Sequence, residues 1–595
     1  MAGQNQEDGE SIPQRKAMDW WNKGVNNYSL GFYNEALQCY DEALKLDPKY
    51  VAAWCNKGFT LTKLARNGEA ILCYDRALAI DQNNAITWHN KGSMLMSLNQ
   101  YGEAIQCYDR ALAIEPNNAI TWHNKGFALD ALNHYDEALQ CYDRALEIDP
   151  KDAITWREKG STLHDLDRYG EAIRCYDRAL KIDSKDAITW HNKGFALDAL
   201  NRYDEAIQCY DRALKIDSKD AITWHNKGSA LDALDRYDEA IQCYDRALEI
   251  DPDDATTWQE KGSTLHNLAR YNEALQCYDR ALEINPENAI AYRNKGSVLM
   301  SIHHYGEAFE CYDRALKINS KDAITLRYKG LALHTRIRFK EAIQCYDRAL
   351  KINPTDATTW KEKGSTLYAL ARYGEAIDDE ATHDKAIQCY NRSLDLDPEN
   401  ATTWQEKGSM LQDLHRYGDA IQCYNRSLEL DPEDATTWHN KGFALNKLAL
   451  YDEAIQCYDR ALEIEPDDAT TWHNKGFTLM KKTCYNEALL CYNKALAIEG
   501  DDETTWYNRG FVLAVLKRYD EALWCYDMSL ALDPENAIAW YIKGRILKNL
   551  ARYDEAIRCY DRSLQIRPRD ATVIKERKAC LRAKSLNMRE DSESL

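Results

Sequence analysis

Nineteen cysteines and fourteen histidines could supply metal, redox or acid–base chemistry, provided they cluster. Their spacing says otherwise. Sixteen cysteines recur once per structural unit, at Cys39, Cys73, Cys107, Cys141 and onward to Cys559, and no Cys-x-x-Cys occurs. Stacked helices lie about 10 Å apart, beyond the ~7 Å Cα limit of a disulfide. The pattern predicts small buried hydrophobes in a reducing, cytoplasmic compartment. His89, His123, His191, His225, His439 and His473 share one register, each too far from the next to share an ion at ~2.1 Å. Asp379 with His383 and Glu380 with Asp384 have helical i, i+4 spacing, yet four carboxylates and one histidine read as a solvated turn. No phosphate loop, H-E-x-x-H, nucleophile elbow or dinucleotide fingerprint is present. The expectation is a non-enzyme with no metal and no cofactor.

The elements that carry these residues are repeats. Trp20, Trp54, Trp88, Trp122, Trp156, Trp190, Trp224 and Trp258 are each 34 residues apart. The series continues through Tyr292, Leu326 and Trp360, slips by 44 residues, and resumes at Trp404, Trp438, Trp472, Trp506 and Trp540. Sixteen units therefore fill 17–570, and the polar N-terminus 1–16 reads as disordered. Within Ala85–Asn118, Trp88, Leu95 and Leu98 mark one face of a first helix, and Ala104, Tyr108 and Ala111 one face of a second. Asn99 and Gln100 make the turn, and Pro116 ends the second helix. Gly92, Ala104 and Ala111 are small where two backbones must approach, and Asp109–Arg110 reads as solvated surface.

Trp, Gly, Tyr, Ala, Tyr, Ala and Pro stand at repeat positions 4, 8, 17, 20, 24, 27 and 32, a pattern that resembles the tetratricopeptide repeat (TPR) signature. The resemblance implies an all-α fold, a right-handed superhelix of helix-turn-helix repeats. Position 7 departs from it: Lys in fifteen units and Arg509 in the other, read as packing plus a complement to a helix C-terminus. One helix pair cannot offset the roughly 50 kcal/mol of entropy lost in ordering 34 residues, so stability rests on stacking. Residues 571–586 read as a capping helix and 587–595 as a flexible tail. The unit beginning at Ala357 carries ten extra residues, placed near 378–387, expected as a protruding loop or a lengthened helix.

The resemblance also implies a concave groove lined by positions 2, 5, 6, 9, 12 and 13. Position 6 is Asn at Asn22, Asn56, Asn90, Asn124, Asn192, Asn226, Asn294, Asn440, Asn474 and Asn508. A primary amide both donates and accepts, which suits the main chain of an extended peptide. A similar ladder lines the TPR arm of O-linked N-acetylglucosamine transferase. The alternative is that these amides satisfy their own helix layer. Glu158, Glu260, Glu362, Glu406, Tyr328 and Ile542 interrupt the series. Asp130, Asp165, Asp198 and Asp232 make the central groove acidic, whereas Phe443, Phe477 and Phe511 beside Lys447 and Lys481 suit an acidic segment with apolar anchors.

A net charge of −20 disfavours nucleic acid, and no run of ~18 apolar residues suits a membrane span. The start of the chain lacks the apolar core of a signal peptide. The sequence thus points to a protein-interaction scaffold that takes peptide segments in its groove. Two alternatives are a substrate-presenting or adaptor subunit of a separate enzyme such as a glycosyltransferase, and homotypic self-association.

Overall fold

A computed structural model describes residues 12–373 and 379–593. Among them are 33 helices and no strand. The helices fall into two compact units, Met1–His304 and Tyr305–Leu595. The first ends with helix Ala289–Ser301 and the second begins with helix Tyr305–Ile318.

The repeat beginning at Ala153 shows why the chain folds this way. Its first helix is Ala153–Asp165, its second Tyr169–Ile182. Asp152, the last residue of the preceding repeat, caps the first helix by accepting from Ile154 N at 3.1 Å. Trp156 lies back over the entering loop and donates its indole N–H to the Pro150 carbonyl at 3.1 Å. Trp190 makes the same bond to Ser184, so the 34-residue tryptophan series depends on a carbonyl and not on proline. The first helix stops where Asp167 turns left-handed at φ 57°, which lets Arg168 N bond back to Leu163 O at 2.9 Å.

Ala172, Cys175, Tyr176 and Ala179 then bury the inner face of the second helix. The close approach needs glycine at position 8. A Cβ on Gly160 would sit 2.6 Å from the Tyr176 ring. All nineteen cysteines are free thiols, and all but Cys484 are buried. Burial raises the Cys141 and Cys175 thiols to about 11, which keeps them unreactive.

Two boundaries differ from the sequence expectation. The first helix begins at Ile12, inside the segment 1–16 read as disordered, with Pro13 in its opening turn. The terminal helix runs Ala571–Glu593, past 586, and buries Val573 and Cys580 against the last repeat. In the repeat beginning at Ala357 the extra residues that the structure describes, 379–382, precede His383 and take the lengthened-helix form. Ala386, Cys389 and Tyr390 take the buried positions of the second helix, which is lengthened backwards to Asp379. The first helix extends to Arg372 and buries Leu370 and Ala371. Residues 374–378 lie outside the described residues.

Candidate functional site

Successive first helices meet where positions 5 and 12 of one repeat reach positions 3 and 10 of the next, and positions 6 and 9 lie on the face between these contacts. Position 5 of one repeat reaches position 3 of the next. His123 Nδ1 lies 2.7 Å from Thr155 Oγ1, which donates its proton to Asp152 at 2.5 Å. A hydroxyl has one proton, so His123 must be the donor at Nδ1 and keep Nε2 as an acceptor. His89, His191, His225, His439 and His473 repeat this contact. Burial lowers the pKa of His89, His123, His191, His439 and His473 below the ordinary imidazole value.

The asparagine ladder is partly engaged within this layer. Asn474 Nδ2 donates to His439 Nε2 at 3.3 Å, Asn294 to Ser263 Oγ at 3.3 Å and Asn90 to Cys55 Sγ at 3.5 Å. Asn124, Asn192, Asn226 and Asn440 are half-buried on the same face. Asn508 is 8% exposed and nearly sealed. Where glutamate breaks the ladder, it meets a position-5 base: Glu158 with Arg157 at 2.8 Å, Glu260 with His225 at 3.3 Å, Glu362 with Arg327 at 3.3 Å and Glu406 with Lys361 at 3.5 Å. Burial raises Glu260 and Glu362, as it does Asp130, Asp198 and Asp232. Asp165 lies 3.6 Å from His164, beyond hydrogen-bond reach. The face is acidic and poorly solvated.

Serine at position 9 can satisfy the tyrosine of its own repeat, whereas four of the phenylalanines there, like Leu331 and Arg545, leave it unpartnered. Tyr108, Tyr278 and Tyr424 at position 24 reach Ser93, Ser263 and Ser409 at 3.3, 3.0 and 3.4 Å. Opposite Phe127, Phe195, Phe443 and Phe511, the hydroxyls of Tyr142, Tyr210, Tyr458 and Tyr526 are buried without a partner. The rings responsible face outward: Phe127 and Phe195 are 44% exposed and Phe511 38%, with Phe443 half-buried; Phe477 is half-buried too, but Tyr492 opposite it reaches Met480 Sδ. His164 stacks on Phe195 at 4.9 Å. Lys447 and Lys481 lie over the rings of Phe443 and Phe477 at 4.8 and 5.2 Å, so the basic and aromatic residues expected side by side are in contact.

Repeat models described as tetratricopeptide repeat or TPR repeat match residues 27–65, 51–84, 83–151, 152–219, 221–254, 243–276, 262–302, 299–357, 408–448, 435–468 and 537–570. Together they cover well over half of the chain. The chain belongs to the tetratricopeptide repeat family. YrrB, a TPR protein with an unusual peptide-binding site, is similar at 25% identity over 32% of this chain and 97% of that one, with a TM-score of 0.29. Naa15/Naa10 bound to HypK-THB matches at 15% identity over 96% and 97%, TM-score 0.34, and the APC/C hetero-tetramer Cut9–Hcn1 at 18% over 84% and 96%, TM-score 0.38. At such scores these likenesses carry no argument about function. No curated protein matches the chain.

The TPR repeats are joined on another face by a contact that sequence reading missed. The position-7 lysine does not complement a helix C-terminus. It reaches the position-25 aspartate of the preceding repeat: Lys57 to Asp41 at 2.6 Å, Lys193 to Asp177 at 2.7 Å, Lys363 to Asp347 at 2.6 Å. The same ammonium lies over the position-4 indole of its own helix, Lys193 at 5.6 Å from Trp190. Arg577 of the terminal helix pairs with Asp561 in the same register. The Asp109 of the supposedly solvated pair holds Lys125 at 2.6 Å. The signal was available: Asp at position 25 and Lys at position 7 recur together through most of the array.

Proposed function

We propose that this TPR chain is a non-enzymatic interaction scaffold that binds peptide segments of partner proteins along the first-helix face. Half-buried position-6 amides, Asn124, Asn192, Asn226 and Asn440 among them, would hold peptide main chain. Phe127, Phe195, Phe443 and Phe511 would take apolar side chains.

The observation that carries this reading is the cost of those phenylalanines. Each leaves a buried tyrosine hydroxyl without a partner, a defect of about 1–3 kcal/mol that serine at the same position removes elsewhere in the array. A local rule broken at an exposed ring marks a place where surface chemistry outweighs stability. Avidity from several equivalent repeats would add to the affinity of each. The desolvated carboxylates of Asp130, Asp198 and Asp232 favour basic segments in the first unit. The Lys447–Phe443 and Lys481–Phe477 pairs favour acidic segments in the second.

The test is selection from a random peptide library on the full chain, with Phe127→Ser/Phe195→Ser and Phe443→Ser/Phe511→Ser as comparison variants. Serine is native at this position in other repeats, so folding is retained. Selected peptides should bind each variant about tenfold more weakly. Selected peptides that bind both variants as they bind the parent chain overturn the reading.

A further inference from the structure

The sixteen repeats are internal controls for one another, and on the outward side of the second helices two neighbours break the common pattern together. Position 22 is Gln in ten repeats, charged in three and an isolated Leu72 in one, but Leu490 and Trp524 in the adjacent repeats beginning at Ala469 and Glu503. Leu490 is 66% exposed and Trp524 51%. Helix Tyr485–Ile498 presents Leu490, Lys494 and Ala497 at i, i+4, i+7, and helix Tyr519–Leu532 presents Trp524, Met528 and Ala531 at the same spacing. The basic residue usual at position 26 is replaced by Met528 in the second of them.

The change in shape is accompanied by a change in charge. In most repeats the position-7 cation faces an aspartate across the repeat junction. Here position 25 is Asn493, and Arg509 donates to its amide oxygen at 2.7 Å and to Cys525 Sγ at 2.9 Å. Arg509 also lies over both Trp506 and Trp524, at 5.5 and 5.8 Å, while the two indoles meet edge to face at 4.9 Å. The guanidinium keeps its charge beside exposed aromatic surface. Asn391 and Asn425 also stand at position 25, but Gln388 and Gln422 keep position 22 polar there. A depression of about 610 Å³ opens between Trp472, Leu479, Leu490 and Ala497, with Lys475 and Lys494 on its rim. Its one lining carboxylate is Glu487. Lys475 is neutralised by Asp459, and the nearby Glu521 is held by Arg518 at 2.7 Å. Depressions at equivalent places in the array carry more charged side chains of both signs, Asp136, Asp143, Arg168 and Glu171 in one and Lys407, Arg416, Asp419 and Arg426 in another.

We infer that the outward face of helices Tyr485–Ile498 and Tyr519–Leu532 is a second docking surface, separate from the first-helix face, for an amphipathic helix whose polar flank is acidic. Arg509 bridges from Asn493 to Trp524 and so brings the two i, i+4, i+7 stripes onto one neighbouring surface, relief of the kind against which a third helix packs. Trp524 supplies an amphipathic anchor of the kind that dominates such interfaces. Uncompensated Arg509 and the rim lysine Lys494 select glutamate or aspartate over lysine at the edge.

The experiment uses the full chain and a fluorescein-labelled helical peptide of about five turns, with leucine at i, i+4, i+7 and glutamate elsewhere. A lysine-for-glutamate peptide is the control, and anisotropy is read at low and high salt. The Glu peptide should bind the parent chain and weaken with salt, and the Lys peptide should bind at least about tenfold more weakly. Leu490→Gln/Trp524→Gln, which restores the residue of most repeats, should cost about tenfold or more. Asn493→Asp should cost several-fold by neutralising Arg509, and Gln242→Ala, at the exposed position 22 of another repeat, should change nothing. Equal binding by the Leu490→Gln/Trp524→Gln chain, or equal affinity for the two peptides, overturns the assignment. So does sedimentation showing self-association of the parent chain that this double variant abolishes, which would give the patch to a second copy.

Discussion

The repeats 187–220 and 221–254 differ at five of 34 positions, and only one of the five touches the core. Asn201/Asp235, Lys215/Glu249, Ser218/Pro252 and Lys219/Asp253 lie at the turn or on exposed ends. The fifth is Phe195/Ser229. With phenylalanine the ring stands out on the first-helix face and the Tyr210 hydroxyl is buried without a partner; across from Ser229, Tyr244 is not left so. Two nearly identical sequences thus make different settlements between a satisfied interior and an apolar surface. The duplication supplied sixteen equivalent frames, and single substitutions distinguish their surfaces.

What the two repeats share should fail alike. A Cβ on Gly194 would stand 2.6 Å from the Tyr210 ring, and one on Gly228 would stand 2.7 Å from Tyr244. Gly194→Ala and Gly228→Ala should each destabilise their repeat by about 2 kcal/mol through overpacking. Hydrogen exchange of the second helices, Tyr203–Ile216 and Tyr237–Ile250, is the suitable measure, because an array opens repeat by repeat. A large difference between the two glycines would show that the shared core is not shared.

The contrast itself turns on one hydroxyl. Tyr210→Phe deletes an unpartnered polar atom and should stabilise the repeat by about 1 kcal/mol. Tyr278→Phe breaks the 3.0 Å contact with Ser263 and should destabilise by about the same amount. Opposite signs for one chemical change would confirm that position 9 sets the account of the tyrosine. Equal signs would remove the physical basis for reading Phe195 as functional surface.

Much of this architecture is legible in the sequence because a 34-residue period fixes the frame: Trp190, Gly194, Tyr210 and Ala213 fall in place from spacing alone. Less legible were contacts that join one repeat to the next. The Lys193–Asp177 pair and the His191–Thr223–Asp220 chain each link adjacent repeats, and inspecting one unit at a time hides them. The glutamates that interrupt the asparagine ladder read as breaks in sequence, whereas in the fold Arg327 and Lys361 of the preceding repeats lie opposite Glu362 and Glu406. The exact register of the extra residues before His383 is hidden for a similar reason. Glu375-Ala376-Ile377 and Lys385-Ala386-Ile387 fit the repeat pattern equally well, and only burial of Ala386 decides between them.

Acid should separate the repeats further. Burial holds the folded-state pKa of His191 below its unfolded value of about 6.5, so the unfolded chain binds the proton first. Its contribution to stability is complete above about pH 6.5 and is lost as the pH falls toward the folded value. Asp198, raised by burial on the same helix, works in the opposite sense at the acid end. Exchange of helix Ala187–Asp198, corrected for the intrinsic rate, should therefore accelerate between about pH 7 and pH 5. Helix Ala289–Ser301, with Arg293 at position 5, should respond less. His191→Gln should flatten the response, and an unchanged profile would remove the histidine from it.

The smallest effect belongs to the junction between repeats. Lys193 and Asp177 are 2.7 Å apart with side chains 19% and 48% exposed, so water screens the pair from one side. Asp177→Asn should cost only about 0.5 kcal/mol, and less in high salt. The cation–π contact with Trp190 at 5.6 Å remains in that variant and limits the loss. Asn391→Asp is the converse, giving Lys407 the aspartate that most of its counterparts have, and should gain a similar amount. Because the pair recurs along the array, replacing several aspartates together should lower stability by the sum of small terms, since sites separated by a repeat act nearly independently. A multiple variant that loses far more than this sum would show that the junctions act as one cooperative chain, and the comparison of repeat with repeat would then have to give way to a description of the array as a whole.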